Sequence, residues 1–144
     1  MKSAIIVLVI LILSSFLPFA EGASQRSSLD ITTLIIKFDK TDAEFIVNYD
    51  IGRLPKLYII LMGSKSIKPK LKNVFSGFDY NIIKMDQDKA ILHVKNISRY
   101  EKGFYLHDSI AFGETINILR IYMPDSDRPV EYYSVNSTPN KFYR

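Results

Sequence analysis

The chain contains no cysteine, no tryptophan and only two histidines, with six glycines and six prolines in 144 residues. Without cysteine it forms no disulfide, binds no metal through thiolate, offers no thiol nucleophile and carries no cysteine-linked lipid. So little glycine and proline excludes collagen-like and proline-rich fibrous classes. Charged residues make up 24% of the chain, too few for disorder to describe the whole of it. The length suits one domain. There is no phosphate-binding glycine loop, no dinucleotide fingerprint, no Gly-x-Ser-x-Gly elbow and no His-Glu-x-x-His helix.

The N-terminus reads as an address. Lys2 precedes an apolar run from Ala4 to Leu13, which Phe16, Leu17 and Phe19 extend. Pro18 breaks the run, and Ala20-Glu21-Gly22 places small residues where a signal peptidase reads. Residues 1–22 are therefore expected to be a signal peptide, with an uncleaved membrane anchor as the alternative. Residues 23–28 are a small polar linker, and 29–144 a single exported globular domain. Either form puts that domain outside the cytoplasm, secreted or held at the cell surface. Lys2 and Glu21 leave together on cleavage, so the net charge stays at +4. That is mildly basic, well short of a nucleic-acid binder's concentrated charge. An exported domain without disulfides is stabilised by packing alone, which points to a microbial envelope.

The rest of the chain reads as hairpins. Leu29–Phe38 and Glu44–Ile51 flank a turn at 39–42. A four-residue loop there pairs Phe38 with Ala43, Ile36 with Phe45, Leu34 with Val47 and Thr32 with Tyr49, which gathers the apolar residues on one face. A second hairpin joins Asp79–Met85 to Lys89–Asn96. A two-residue loop at Gln87-Asp88 pairs Met85 with Ala90, Ile83 with Leu92 and Asn81 with Val94. Between the hairpins, Leu54–Met62 fits either a short helix or a buried strand. Ser66–Ser76 fits a helix with Ser66 as cap and Gly77 as stop, burying Ile67, Leu71, Val74 and Phe75. Lys102–His107 reads as a strand or an extended loop, Thr115–Met123 and Val130–Val135 as strands, and 136–144 as loop. The expected class is α+β: mainly antiparallel sheet built from β-hairpins, with one or two short helices inserted between the first and second hairpins. An all-β sandwich is the alternative.

Chemistry is sparse. His107-Asp108, with Glu114, could supply hard metal ligands or a base and its orienter, but neighbours on a strand point to opposite faces. His93 falls mid-strand. Acidic turns at Asp39/Asp42/Glu44, Asp86/Asp88 and Asp125/Asp127 lack the glycine-pinned loop of a calcium site, and Asp is a default turn residue. No catalytic residue, cofactor or metal is therefore assigned.

Lys65, Lys68, Lys70 and Lys72 form the densest basic cluster, with no acidic residue from 51 to 78. They could meet an anionic lipid surface or an acidic envelope polymer. The competing reading is the solvated side of a helix. Tyr122, Tyr132, Tyr133, Phe142 and Tyr143 crowd the C-terminal end, where they could form a sugar or peptide platform or simply pack. Asn96-Ile-Ser98 and Asn136-Ser-Thr138 are sequons, so Asn96 and Asn136 are possible glycan acceptors. The expectation is an exported, envelope-associated domain with a non-catalytic binding or structural role. The alternative is a small secreted hydrolase or metal-dependent enzyme using the His107/Asp108/Glu114 region.

Overall fold

The computed structural model describes residues 29–51 and 67–144. The expectations for 1–28, Leu54–Met62, Lys65 and Ser66 lie outside the described residues. The described chain is mostly β with one short helix.

Strands β1 (Leu29–Asp39) and β2 (Asp42–Ile51) form the first hairpin. Its pairs Phe38–Ala43, Ile36–Phe45 and Leu34–Val47 are as expected, but Tyr49 lies opposite Ile31 rather than Thr32. A bulge at Thr32 makes the difference. It turns Ile31 into the core and leaves Thr32 exposed, where its hydroxyl donates to the Asn48 carbonyl at 3.2 Å. Burying the isoleucine instead of the hydroxyl is the cheaper arrangement.

Helix α1 (Lys68–Val74) buries Ile67, Leu71, Val74 and Phe75, the expected face. Its N-cap is Ile67, with no side-chain cap bond, and Pro69 in the first turn has no N–H to satisfy.

Strands β3 (Tyr80–Met85) and β4 (Lys89–Val94) form the second hairpin. Met85 pairs with Ala90 as expected, Lys84 lies opposite Ile91, and then a bulge at Ile83 shifts the register. Leu92 faces Ile82, not Ile83, and Val94 faces Tyr80, not Asn81. Tyr80 and Ile82 thereby pack on the core, while Ile83 stands 66% exposed. With two isoleucines in succession, the apolar pattern fits either register.

Five more strands follow: β5 (Arg99–Glu101), β6 (Phe104–His107), β7 (Ala111–Tyr122), β8 (Val130–Ser137) and β9 (Lys141–Tyr143). A six-stranded sheet has the order β3-β4-β2-β1-β7-β8, and a small sheet the order β5-β6-β9. The large sheet is mixed rather than purely antiparallel, because β1 and β7 run parallel with Leu34 opposite Leu119 and Ile36 opposite Ile121. All of β2 to β6 lies between those two strands in the chain, ample length for the crossover a parallel pair needs. The segment 136–144, expected as loop, instead completes β8 and supplies β9.

One face of the large sheet carries the core: Leu34, Ile36, Phe45, Val47, Leu92, Leu119 and Ile121 are fully buried. Two aromatic clusters attach the other elements to it. Phe45, Phe75, Phe78 and Phe112 meet mostly edge-to-face with centroids 5.3–6.1 Å apart, gluing α1 and the loop after it to the sheet. Phe38 meets His107 and Tyr143, each at 5.1 Å, and so fixes the small sheet beside the β1–β2 turn. Gly113 on β7 lies directly under α1; a Cβ there would run into the Asn73 carbonyl.

Candidate functional site

His107, Asp108 and Glu114 do not converge. His107 is buried, and both ring nitrogens are engaged: Nδ1 lies 2.8 Å from the Ile97 carbonyl and Nε2 2.7 Å from Thr138 Oγ1. A carbonyl only accepts, so Nδ1 carries the proton and Nε2 accepts from the Thr138 hydroxyl. The Thr138 oxygen in turn accepts the Ile110 N–H at 2.9 Å. This directional chain leaves the ring neutral and with no lone pair for a metal. Burial lowers its pKa below the ordinary 6.5, outweighing the Ile97 bond and the charge of Asp108. Asp108 is exposed and paired with Arg99, and Glu114 is paired with Lys70. The physical reason is strand geometry: His107 ends β6 pointing inward, and Asp108 follows it outward.

His93 lies on the sheet's second face, with Nε2 3.2 Å from Asp42 Oδ2. Asp42 also accepts the Asn96 N–H at 3.0 Å, the main cause of a pKa below its ordinary 3.8. It is a turn fastener. Glu44 pairs with Lys37 and Asp86 with Lys84. Among the described residues, no three His, Asp or Glu side chains are grouped to hold a metal.

The lysine cluster divides. Lys70 is half-buried and tied to Glu114. Lys68 and Lys72, one helical turn apart, are exposed and have no charge partner among the described residues. They rim an open groove of about 870 Å³ between α1 and strand β3. Phe75, Phe78, Tyr80 and Ile82 also line it, and Asp79 stands in the same lining. Phe75 and Phe78 are buried under the groove, so its base is apolar. Burial raises the Tyr80 phenol's pKa above its ordinary 10.0. The bulge at Ile83 puts Tyr80 and Ile82 in this lining. The sequence gives no signal for that, since the bulge depends on partners in β4.

The C-terminal aromatics do not form one platform. Tyr143 is 2% exposed, and its hydroxyl donates to the Lys40 carbonyl at 2.6 Å. Tyr132 is covered by Lys141, whose ammonium lies 5.2 Å from the ring centroid. Tyr133 is exposed and bonds Glu131, which also accepts from Arg120. Phe142 alone projects freely, 74% exposed. Both sequon asparagines are exposed; Asn96 leaves β4 with φ +49°, and Asn136 accepts a bond from Thr115. Comparison of the chain with protein families, characterised proteins and solved structures yields no match.

Proposed function

We propose that the protein is an exported, envelope-associated binding domain, without catalysis, that seats an acidic polymer in the groove between α1 and β3. The observation that carries this reading is the pair Lys68 and Lys72, which have no ion-pair partner among the described residues, at the rim of an apolar-floored groove. Magnitudes favour the groove over flat adsorption to lipid. Each lysine near an anionic surface contributes about 1 kcal/mol. Two of them give roughly 2 kcal/mol, whereas even millimolar binding requires about 4 kcal/mol. The remainder comes from apolar contact with Tyr80 and Ile82, which a chain lying in the groove reaches and a flat headgroup layer does not. The signal-like pattern at 1–22 supports export, and N-terminal sequencing from the native host should begin near Ala23.

Binding to polygalacturonate and polyglutamate, measured by calorimetry at low and high salt, tests the site. Wild type should bind and release with salt. Lys68→Gln with Lys72→Gln should weaken binding about 10–30-fold, the effect of losing two such contacts. Lys70→Gln should leave it nearly unchanged, because that charge is already neutralised by Glu114. Equal binding by the double variant would sink the assignment.

A further inference from the structure

The small sheet has two unlike faces. Cross-strand partners share a face, and Tyr100, Tyr105 and Tyr143 lie opposite one another, as do His107 and Lys141. That face holds the buried His107 and Tyr143 and packs toward Phe38. The alternate face carries Arg99, Leu106 and Phe142 in one row and Glu101 with Phe104 in the next. It turns away from the core. Phe104, Leu106 and Phe142 line an open depression of about 410 Å³ together with Glu101 and Lys102. Phe142 is among the most exposed large apolar side chains of the described residues, and Tyr100 at the neighbouring strand edge is 63% exposed.

The charges around this face are mostly basic. Arg144 lies 4.8 Å from the Phe104 centroid, and Lys102 stands at the β5–β6 turn beside Gly103. Neither has a carboxylate partner among the described residues; Glu101 and Asp108 both contact Arg99, whose one charge offsets only one of them, so these five groups together carry +1. The exposed Phe142 ring beside the half-buried Phe104 and Leu106, with Lys102 and Arg144 next to them, matches the boundary of an anionic bilayer, where rings enter the acyl region and cations remain among the headgroups.

We infer that the outer face of the β5-β6-β9 sheet docks on an anionic lipid surface, with Phe142, Phe104 and Leu106 entering the interface and Lys102 and Arg144 meeting the headgroups. This does not depend on the polymer groove, which lies between other elements. The docked face would hold the domain at the lipid surface whether or not residues 1–22 are cleaved.

The chain has no tryptophan, so Phe142→Trp in the full-length protein installs a single fluorescent reporter. The variant is mixed with phosphatidylglycerol–phosphatidylcholine vesicles whose acyl chains carry bromine. Emission should shift to the blue and be quenched several-fold more than in a Tyr133→Trp variant, whose reporter lies on the large sheet. Quenching should persist in high salt once docked, and Phe104→Ser with Leu106→Ser in the Phe142→Trp background should reduce it. Equal quenching at both reporter positions, or none at position 142, would overturn the proposal. So would a blue shift that grows with protein concentration in the absence of vesicles, because it would assign the face to a second copy of the chain. Circular dichroism of each variant establishes that the fold is retained, and a folded double-serine variant with undiminished quenching would also overturn it.

Discussion

Replacing Thr138 by valine probes the hydrogen-bond chain that ties the small sheet to the large one. The two side chains have nearly the same shape, and the site is fully buried, so packing is conserved. Only the hydroxyl is lost. It donates to His107 Nε2 at 2.7 Å and accepts the Ile110 N–H at 2.9 Å, and valine strands both groups. A stranded buried group costs about 1–3 kcal/mol, and the added methyl offsets part of the total. The expected loss is therefore about 2–4 kcal/mol. At about 4 °C per kcal/mol for a domain of this size, Tm should fall by about 8–16 °C. Urea denaturation at neutral pH, followed by circular dichroism, should give the same loss with an unchanged m-value. Thr138→Ser keeps the hydroxyl and drops one methyl group, so it should cost only about 1 kcal/mol. A valine variant as stable as wild type, or a serine variant as damaged as the valine one, would refute the account.

Gly113→Ala should destabilise by about 1–3 kcal/mol in thermal melts, since the new methyl displaces α1 at Asn73. Leu71→Asp should cost at least about 2–5 kcal/mol in urea, as expected for a lost buried leucine. His107 sets an acid limb of stability. Its folded-state pKa lies below 6.5, so the unfolded chain binds the proton first. Stability is then full above pH 6.5 and falls as pH drops through the interval down to the folded pKa, which Tm measured stepwise between neutral and mildly acid pH should show. Tyr49 gives the alkaline counterpart. Burial, with Asp88 and Asp86 nearby, pushes its phenol up from 10.0 to about 12, so its contribution is present below pH 10 and lost toward pH 12 in an absorbance-monitored titration.

Local periodicity made much of the fold legible. Alternation and loop length placed the β1–β2 hairpin and three of its expected pairs, and helical spacing placed the buried face of α1. The failures occur where a second segment decides. Thr32 and Ile83 become bulges in pairing with the neighbouring strands, whereas loop counting assumes one residue opposite one. The parallel β1–β7 pair joins strands far apart in the chain and has no local signature. The tail 136–144 looks like loop from its Asn, Ser, Thr and Pro, yet Thr138 and Tyr143 are buried by Phe38, Ser98 and His107. Among candidate site residues, the lysines were legible as a cluster. That Lys70 is neutralised depends on Glu114, which approaches from β7.

The central position of β1 has a consequence for how the chain is made. Strands β3, β4, β2 and β1 are contiguous in the sheet and all belong to the first two-thirds of the sequence, so they can assemble as soon as they emerge. Before β7 is made, β1 borders those four strands, with Leu34, Ile35 and Ile36 along the edge that β7 later pairs. The finished sheet's outer strands are better guarded, by the bulge at Ile83 in β3 and the left-handed Ser134 in β8. No such irregularity interrupts β1 where it awaits β7. Until residues 119–122 arrive, newly emerged chains present a flat apolar ribbon to one another, and the interval between synthesis of β4 and of β7 is when aggregation competes with folding.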